Sequence, residues 1–249
     1  MNQYRVAVIT PYYKEDIEVL RQCHQSVINQ DVNLTHFFIA DGHPNKELNQ
    51  WDCKHIMLPD SHGDNGNTPR GIGSLLAESE GYDFIAYLDA DNWYHPNHLK
   101  SLLTLHDETG GDVMCSFRTF HRMDGSILPI SEEIENSLKH VDTSCLMISK
   151  KAFSCLTAWT KMPKALSPAC DRIFYKLLKY HRFDMRHTQL RTVAFRSQYQ
   201  AHYIGEKELP LHPLKDSAFM EGCSQYLQSV TGIRECLDTL GFWPLQVKD

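Results

Sequence analysis

Short apolar runs alternate with segments of helical periodicity through the first half of the chain, and few architectures accept that order. Arg5–Tyr13 (R-V-A-V-I-T-P-Y-Y) is a β-rich run stopped by Pro11, and Asp16–Gln30 sets Ile17, Leu20, His24, Val27 and Ile28 on one helical face. Thr35–Asp41 predicts a second strand, closed by Gly42, His43 and Pro44, and His55–Leu58 a short third one. Asp60–Asn67 (D-S-H-G-D-N-G-N) has the composition of a loop. Pro69–Glu80 predicts a helix with proline in its first turn, Asp83–Asp91 a buried strand with a polar end, and Pro96 opens a helix carrying Leu99, Leu102 and Leu103. Strands separated by helices favour a right-handed, mostly parallel twisted sheet covered on both faces, an α/β fold. In such sheets ligands bind at the carboxyl ends of the strands. Three of those ends are unusually polar, Thr10-Pro11-Tyr12, Asp41-Gly42 and Asp89-Ala90-Asp91, and are expected on one edge of the sheet.

The second half is less regular. Asp112–His121 and Val141–Ser149 read as strands, Pro168–Tyr180 as a helix through Ile173, Leu177 and Leu178, and Thr192–Arg196 as a short strand. Asp216–Leu240 keeps helical spacing and predicts a C-terminal helical extension, packed on the domain or forming a dimer contact. At 249 residues and 42% hydrophobic, the chain suits one large domain with a sizeable core. Its net charge of −6 lacks the positive field of a non-specific nucleic-acid binder. No apolar run approaches the ~20 residues that span a bilayer, and Met-Asn-Gln-Tyr-Arg enters a strand without the apolar stretch of a signal peptide. The eight cysteines are scattered and form no C-x-x-C pair, which reads as reduced thiols of a cytoplasmic protein. No H-E-x-x-H occurs, and His95 and His98 at a helix start read as a solvated face.

Asp89-Ala90-Asp91-Asn92 is the sharpest local signal. Two carboxylates at i and i+2 after a buried strand are costly to leave unpaired, so a cation or dense hydrogen bonding is expected there. Mn²⁺ or Mg²⁺ needs only one or two protein carboxylates when a substrate diphosphate supplies further oxygens. Strand-end capping is the plainer alternative. An EF-hand loop would want Gly and Glu where Tyr94 and Lys100 stand, and an aspartyl phosphatase would carry its acidic pair after the first strand. Neither G-x-x-x-x-G-K-[ST] nor G-x-G-x-x-G is present, which removes the P-loop and dinucleotide readings.

Six segments in order resemble the family 2 glycosyltransferases, a resemblance that covers roughly residues 4–205. They are V-I-T-P-Y-Y-K (8–14), F-I-A-D-G (38–42), N-T-P-R-G-I-G-S-L-L-A (67–77), Y-L-D-A-D-N-W-Y-H-P-N-H-L (87–99), P-A-C-D-R-I-F-Y-K-L-L (168–178) and V-A-F-R-S-Q-Y-Q-A-H-Y (193–203). The resemblance implies a GT-A-like single domain over 1–205, with a nucleotide-sugar half (1–95), an acceptor half (96–205) and a helical extension (206–249). It implies that Thr10, Pro11 and Tyr12 line the nucleotide base, Tyr12 by stacking, and that Asp41 accepts a uracil N–H. Glu15, Arg70, Asp89 and Ala90 complete the nucleotide contacts. The resemblance further implies that Asp91 is the direct metal ligand, supported by Asp89 and by His202. Asp171 is the general base, although the family usually carries Glu-Asp where this chain has Cys170-Asp171. Trp93, Asp142 and the stretch through Ser144 face the acceptor. Each residue also has a plain structural reading: Tyr12 as a strand-end aromatic, Asp41 as a turn residue, Arg70 as a surface arginine, His202 as packing and Asp171 as a helix-start aspartate.

The implied activity is inverting transfer of one sugar from a nucleotide diphosphate donor, UDP by default, to a glycan or lipid-linked hydroxyl in bacterial surface-polysaccharide or lipopolysaccharide assembly. The Q-x-x-R-W motif and membrane helices of processive members are absent from the sequence. The expected partners are therefore the nucleotide-sugar and the acceptor, with the protein cytoplasmic or peripheral at the inner membrane face. A pyrophosphorylase would need a Gly-rich, Arg-bearing loop where T-P-Y-Y-K-E stands. A catalytically silent nucleotide- or glycan-binding module is the second reading.

Overall fold

Among the described residues, fifteen helices and strands follow in chain order: β1 (Val6–Tyr12), α1 (Ile17–Ile28), β2 (Leu34–Asp41), β3 (Lys54–Leu58), α2 (Asn67–Ser79), β4 (Phe84–Tyr87), β5 (Trp93–Tyr94), α3 (His98–Thr109), β6 (Val113–His121), β7 (Leu146–Ser149), α4 (Ala158–Lys161), α5 (Cys170–Tyr180), β8 (Met185–Arg196), α6 (Ala218–Gln228) and α7 (Val230–Leu240). The computed structural model describes residues 4–130, 140–203, 214–216 and 218–247; the expected boundary at 205/206 lies outside them. The strands make one eight-stranded sheet in the order β3-β2-β1-β4-β7-β6-β8-β5. The fold is the α/β, GT-A-like arrangement expected.

From β3 to β4 all neighbours are parallel. All seven residues of β1 and all four of β4 are buried, which is why these strands read as apolar runs rather than alternations. Leu20, Cys23, His24 and Val27 are the buried stripe of α1. The chain runs outward through β1, β2 and β3 and then returns over α2 to β4 on the other side of β1. A crevice therefore opens between the carboxyl ends of β1 and β4, where strand order reverses.

Beyond β4 the sheet is mixed. β7 runs against β4 and β6, β8 lies parallel to β6, and two-residue β5 runs against the end of β8 through Trp93–Ala194 and Tyr94–Val193. Four sequence expectations are corrected here. The strand expected over Asp83–Asp91 stops at Tyr87, because the chain bends into a turn closed by Asn92 N–H donating to the Asp89 carbonyl at 3.0 Å. Val141–Ser149 is strand only from Leu146: the Asp142 side chain accepts from Ser144 N–H and caps a 3₁₀ turn over Thr143–Cys145, a local bond that competes with the ladder. β8 begins at Met185 rather than Thr192, since pairing with β6 recruits a polar stretch with no strand periodicity of its own. His98 is fully buried, bonded through Nδ1 to Thr192 Oγ1 at 2.8 Å, and is not a solvated-face residue.

The C-terminal stretch is two helices, not one. Ser229 leaves helical geometry and its Oγ accepts from Gly232 N–H at 2.9 Å, the N-cap of α7. The extension packs on its own chain: Trp243 Nε1 donates to the Leu227 carbonyl, Lys176 Nζ to the Val247 carbonyl, and the Phe242 ring stacks on Tyr180.

Candidate active site

The crevice between β1 and β4 holds a cavity of about 280 Å³ lined by Lys14, Glu15, Asp16, Val19, Asp91, Met123, Arg196 and Gln198. Lys14, Glu15 and Asp16 follow β1 and Asp91 follows β4, so two of the polar strand ends meet here. The third, at Asp41, is bound to a loop. Gly42 has φ +76°, and a Cβ there would stand 2.5 Å from Ser61 N. That closeness lets the Asp60–Asn67 loop fold back onto Asp41, whose carboxylate accepts from His62 N–H at 3.0 Å, His62 Nδ1 at 2.7 Å and Ser61 Oγ at 3.3 Å.

Two residues expected to line the base are placed otherwise. Thr10 is fully buried and hydrogen-bonded to His36 Nε2 at 2.9 Å, inside the sheet. Tyr12 is 3% exposed, and its hydroxyl is fixed by His55 Nε2 at 2.6 Å and by Asn45 N–H at 2.9 Å, so its ring offers no free stacking face. The next residue does: Tyr13 is 41% exposed, edge-on to His43. Every residue of β1 is buried, on both faces of the sheet, and Tyr13 is exposed because it is the first residue past the strand end. Pro11 is buried under Gly66, and Ala90 is buried beside the acidic turn. Glu15 accepts from Tyr13 N–H at 2.7 Å and borders the cavity.

The two carboxylates of the Asp89-Ala90-Asp91 turn have opposite circumstances. Asp89 Oδ1 accepts from Arg70 Nη2 at 2.7 Å. Arg70 is buried, its guanidinium lies 4.9 Å from the Trp159 ring centroid, and it is no surface arginine. Asp91 has no hydrogen-bonding side chain on its carboxylate among the described residues. Burial first, then Asp89 and Glu15, push its pKa up to about 7. An acidic group so placed gains from an added cation, so Asp91, with Asp89 beside it, fits the divalent ion the sequence implies. His202 does not join them: among the described residues no three His, Cys, Asp or Glu side chains gather as a metal set. Its Nδ1 bonds Ser197 Oγ at 2.6 Å and its ring packs against Phe120, while burial pulls its pKa down to about 4.

The turn is held from the far end of the chain by Arg196. Its Nη1 donates to the Asp91 carbonyl at 2.6 Å, its Nε to the Met123 carbonyl, its Nη2 to Gln22, and its backbone N–H to Asn92 Oδ1. The guanidinium also covers the Trp93 ring at 4.7 Å. Ser144 Oγ accepts from Asp89 N–H and Asn92 Nδ2. Arg196 was legible as an arginine ending the apolar run V-A-F, since burying a guanidinium requires partners.

Asp171 stands in the first turn of α5 with its Oδ1 accepting from Arg172 N–H at 2.7 Å. Burial, then the nearby Asp142, raise its pKa. Asp142 is itself paired with Arg118 at 2.9 Å, both nine-tenths buried, so its carboxylate is an internal anchor rather than an open acceptor contact. Trp93 lies against His121 and Arg196 and is half-buried.

Residues 7–156 match the family described as Glycosyl transferase family 2, and the chain belongs to that family. Among solved structures it is similar to S. aureus TarS 1–349 in complex with UDP, with a TM-score of 0.60 at 15% identity over 95% of this chain and 70% of that one. The complex of TarS 1–349 with UDP-GlcNAc gives 0.60 at 15% identity over 94% and 67%, and a longer TarS structure gives 0.59 at 14% identity over 95% and 43%. At such identities the likeness concerns the fold. No curated protein matches the sequence. Among the described residues no helix is long and apolar enough to cross a membrane.

Proposed function

We propose that the chain transfers one hexose-type unit from a UDP-sugar to a glycan or lipid-linked hydroxyl, non-processively and with inversion. The observation that carries this is the β1/β4 crevice, where Asp91, its carboxylate without a hydrogen-bonding side chain among the described residues, stands beside an arginine-locked Asp89. UDP complexes of structurally similar TarS support uridine as the nucleotide. Residues 1–95 bind the donor, 96–205 the acceptor, and 206–249 extend the domain, its C-terminal helices being the candidate dimer face. A cytoplasmic protein, peripheral at the inner membrane face and serving bacterial surface-polysaccharide or lipopolysaccharide assembly, suits this chemistry.

Tyr13 takes the stacking role first expected of Tyr12, and Asp41 uses lone pairs left over by His62 and Ser61 for the base N–H. Glu15 and Lys14 close the donor side. Arg70 acts through Asp89, orienting that carboxylate and opposing the effect of its burial. Asp91, aided by Asp89, would hold Mn²⁺ or Mg²⁺, which when bound neutralises charge on the departing diphosphate. Asp171 removes the acceptor proton; burial and the nearby Asp142 raise its pKa, which makes its carboxylate a stronger base than an ordinary one. Calorimetric titration of UDP, GDP, dTDP and CMP with and without Mn²⁺, on wild type and Asp91→Ala, tests the reading. Metal-dependent binding of UDP lost in the variant is expected. No nucleotide binding by folded protein would overturn it and leave a glycan-binding module.

A further inference from the structure

His140 stands beside the carboxylate assigned to proton abstraction. Its Nε2 lies 3.9 Å from Asp171 Oδ2, with the imidazole 11% and the carboxylate 25% exposed. Among the described residues it is the one basic side chain at ion-pair distance from Asp171. We propose that His140 is a positioning residue for the base: in its protonated form it holds the Asp171 carboxylate ionised and oriented. The inference rests on the transferase reading above.

The surroundings explain why such a partner matters. Asp171 faces Asp142 from the segment that also carries His140, Arg118 of β6, Arg172 and Cys170 of its own helix, Asp89 beyond β4 and Tyr199 beyond β8. Burial and Asp142 favour the protonated carboxyl, whereas Arg172 and Arg118 oppose it. Arg118 is already committed to Asp142, and the bond from Arg172 comes from its backbone N–H. His140 is therefore placed to supply the missing cation. In the reaction the acceptor O–H proton moves to Asp171 as the acceptor oxygen bonds the anomeric carbon. The bond from that carbon to the diphosphate oxygen breaks, its electron pair leaving with the diphosphate. His140 neither gains nor loses a proton in that step. It sets the charge state from which Asp171 starts.

The test uses the full chain and needs no substrate. Proton-detected NMR titration of the histidine rings, with the His140 signal assigned by its loss in His140→Gln, is compared between wild type and Asp171→Asn. The isosteric Asp171→Asn change is expected to lower the proton affinity of His140 about tenfold. An unchanged His140 midpoint overturns the pairing. In His140→Gln the Asp171 carboxyl, followed by carbon NMR, is expected to titrate at higher pH, whereas a purely architectural histidine would lower the melting temperature and leave that midpoint in place. The two readings separate cleanly: an Asp171→Asn enzyme that turns over a UDP-sugar at the wild-type rate removes Asp171 as the base, and an unmoved histidine removes only the pairing.

Discussion

From β3 to β4 the sheet is parallel, and each strand is followed closely in sequence by its neighbour or by the helix that covers it; from β7 to β5 neighbours change direction and come from distant parts of the chain. The first region supplies groups at strand ends, Tyr13, Glu15, Asp41, Asp89 and Asp91, whose positions follow from where a strand stops. The second supplies Asp171, Asp142, Arg118 and Arg196, whose positions depend on tertiary pairing. A parallel frame presents ligand groups almost automatically at its carboxyl edge, whereas the mixed frame has to hold its charges in buried pairs. The proposed division of labour follows: donor binding from the first region, acceptor activation from the second.

The strongest challenge to that division is a pair of substitutions. Asp171→Asn should cost about 10²–10⁴-fold in turnover while calorimetric UDP affinity stays unchanged. Asp91→Ala should lose metal-dependent UDP affinity and turnover together. Loss of UDP affinity in Asp171→Asn would collapse the distinction. The ionised base is the working form and its pKa is raised, so activity should climb with pH through a limb lying above the ordinary carboxylate range.

The next largest effect tests the buried charges of the mixed region. Arg118→Met strands the Asp142 carboxylate, nine-tenths buried, and should destabilise the fold by about 3–5 kcal/mol in urea unfolding. The seam between regions is probed by Gly71→Ala, because a Cβ there would lie 2.5 Å from Thr160 Cγ2 and 3.2 Å from Thr160 N; a loss of about 1–3 kcal/mol is expected by the same measurement. Acid should loosen the α3–β8 contact. Burial pulls the His98 pKa down to about 3 from 6.5, so between those values the unfolded chain binds a proton that the folded chain refuses. Stability from this site is intact above about pH 6.5 and falls as pH drops below it, and His98→Asn should flatten the melting-temperature profile there. The smallest effect belongs to the exposed pair Lys100–Asp31: Lys100→Ala should change stability by less than about 1 kcal/mol.

The sequence was most readable where secondary structure is self-sufficient. β1, α1, β2, β3 and α2 fall within a few residues of expectation because their apolar patterns are matched to burial on both faces of a parallel sheet. Fine placement within a strand was harder. Thr10 and Tyr12 share the polar segment with Tyr13, yet the strand's last residue decides which side chains are buried and which is exposed. In the mixed region β8 gains seven residues that carry no strand signal, of which Met185, Arg186, His187 and Arg191 pair with β6, and Asp142 prefers a local cap to a ladder. Asp91 was legible as an acidic strand end, but its contrast with Asp89 depends on Arg70, nineteen positions earlier, reaching one carboxylate and not the other. The His202 assignment shows the limit of reading by segment, since its motif places it near β8 while the ring turns toward Phe120.

The grip of Arg196 on the acidic turn also has a kinetic side. Its bond to the Asp91 carbonyl joins positions 105 apart, and its bond to Gln22 joins positions 174 apart. Contacts of such separation carry a large loop-closure cost and form after local ones. The parallel strands can therefore assemble while the turn that would grip the donor is still loose, and the site matures only when β8 arrives. Refolding followed by pulsed hydrogen exchange should show amides of β1 and β2 protected before the Asn92 and Arg196 amides; simultaneous protection would contradict this order. A chain built this way withholds its binding competence until β8 has been made and has paired with β6.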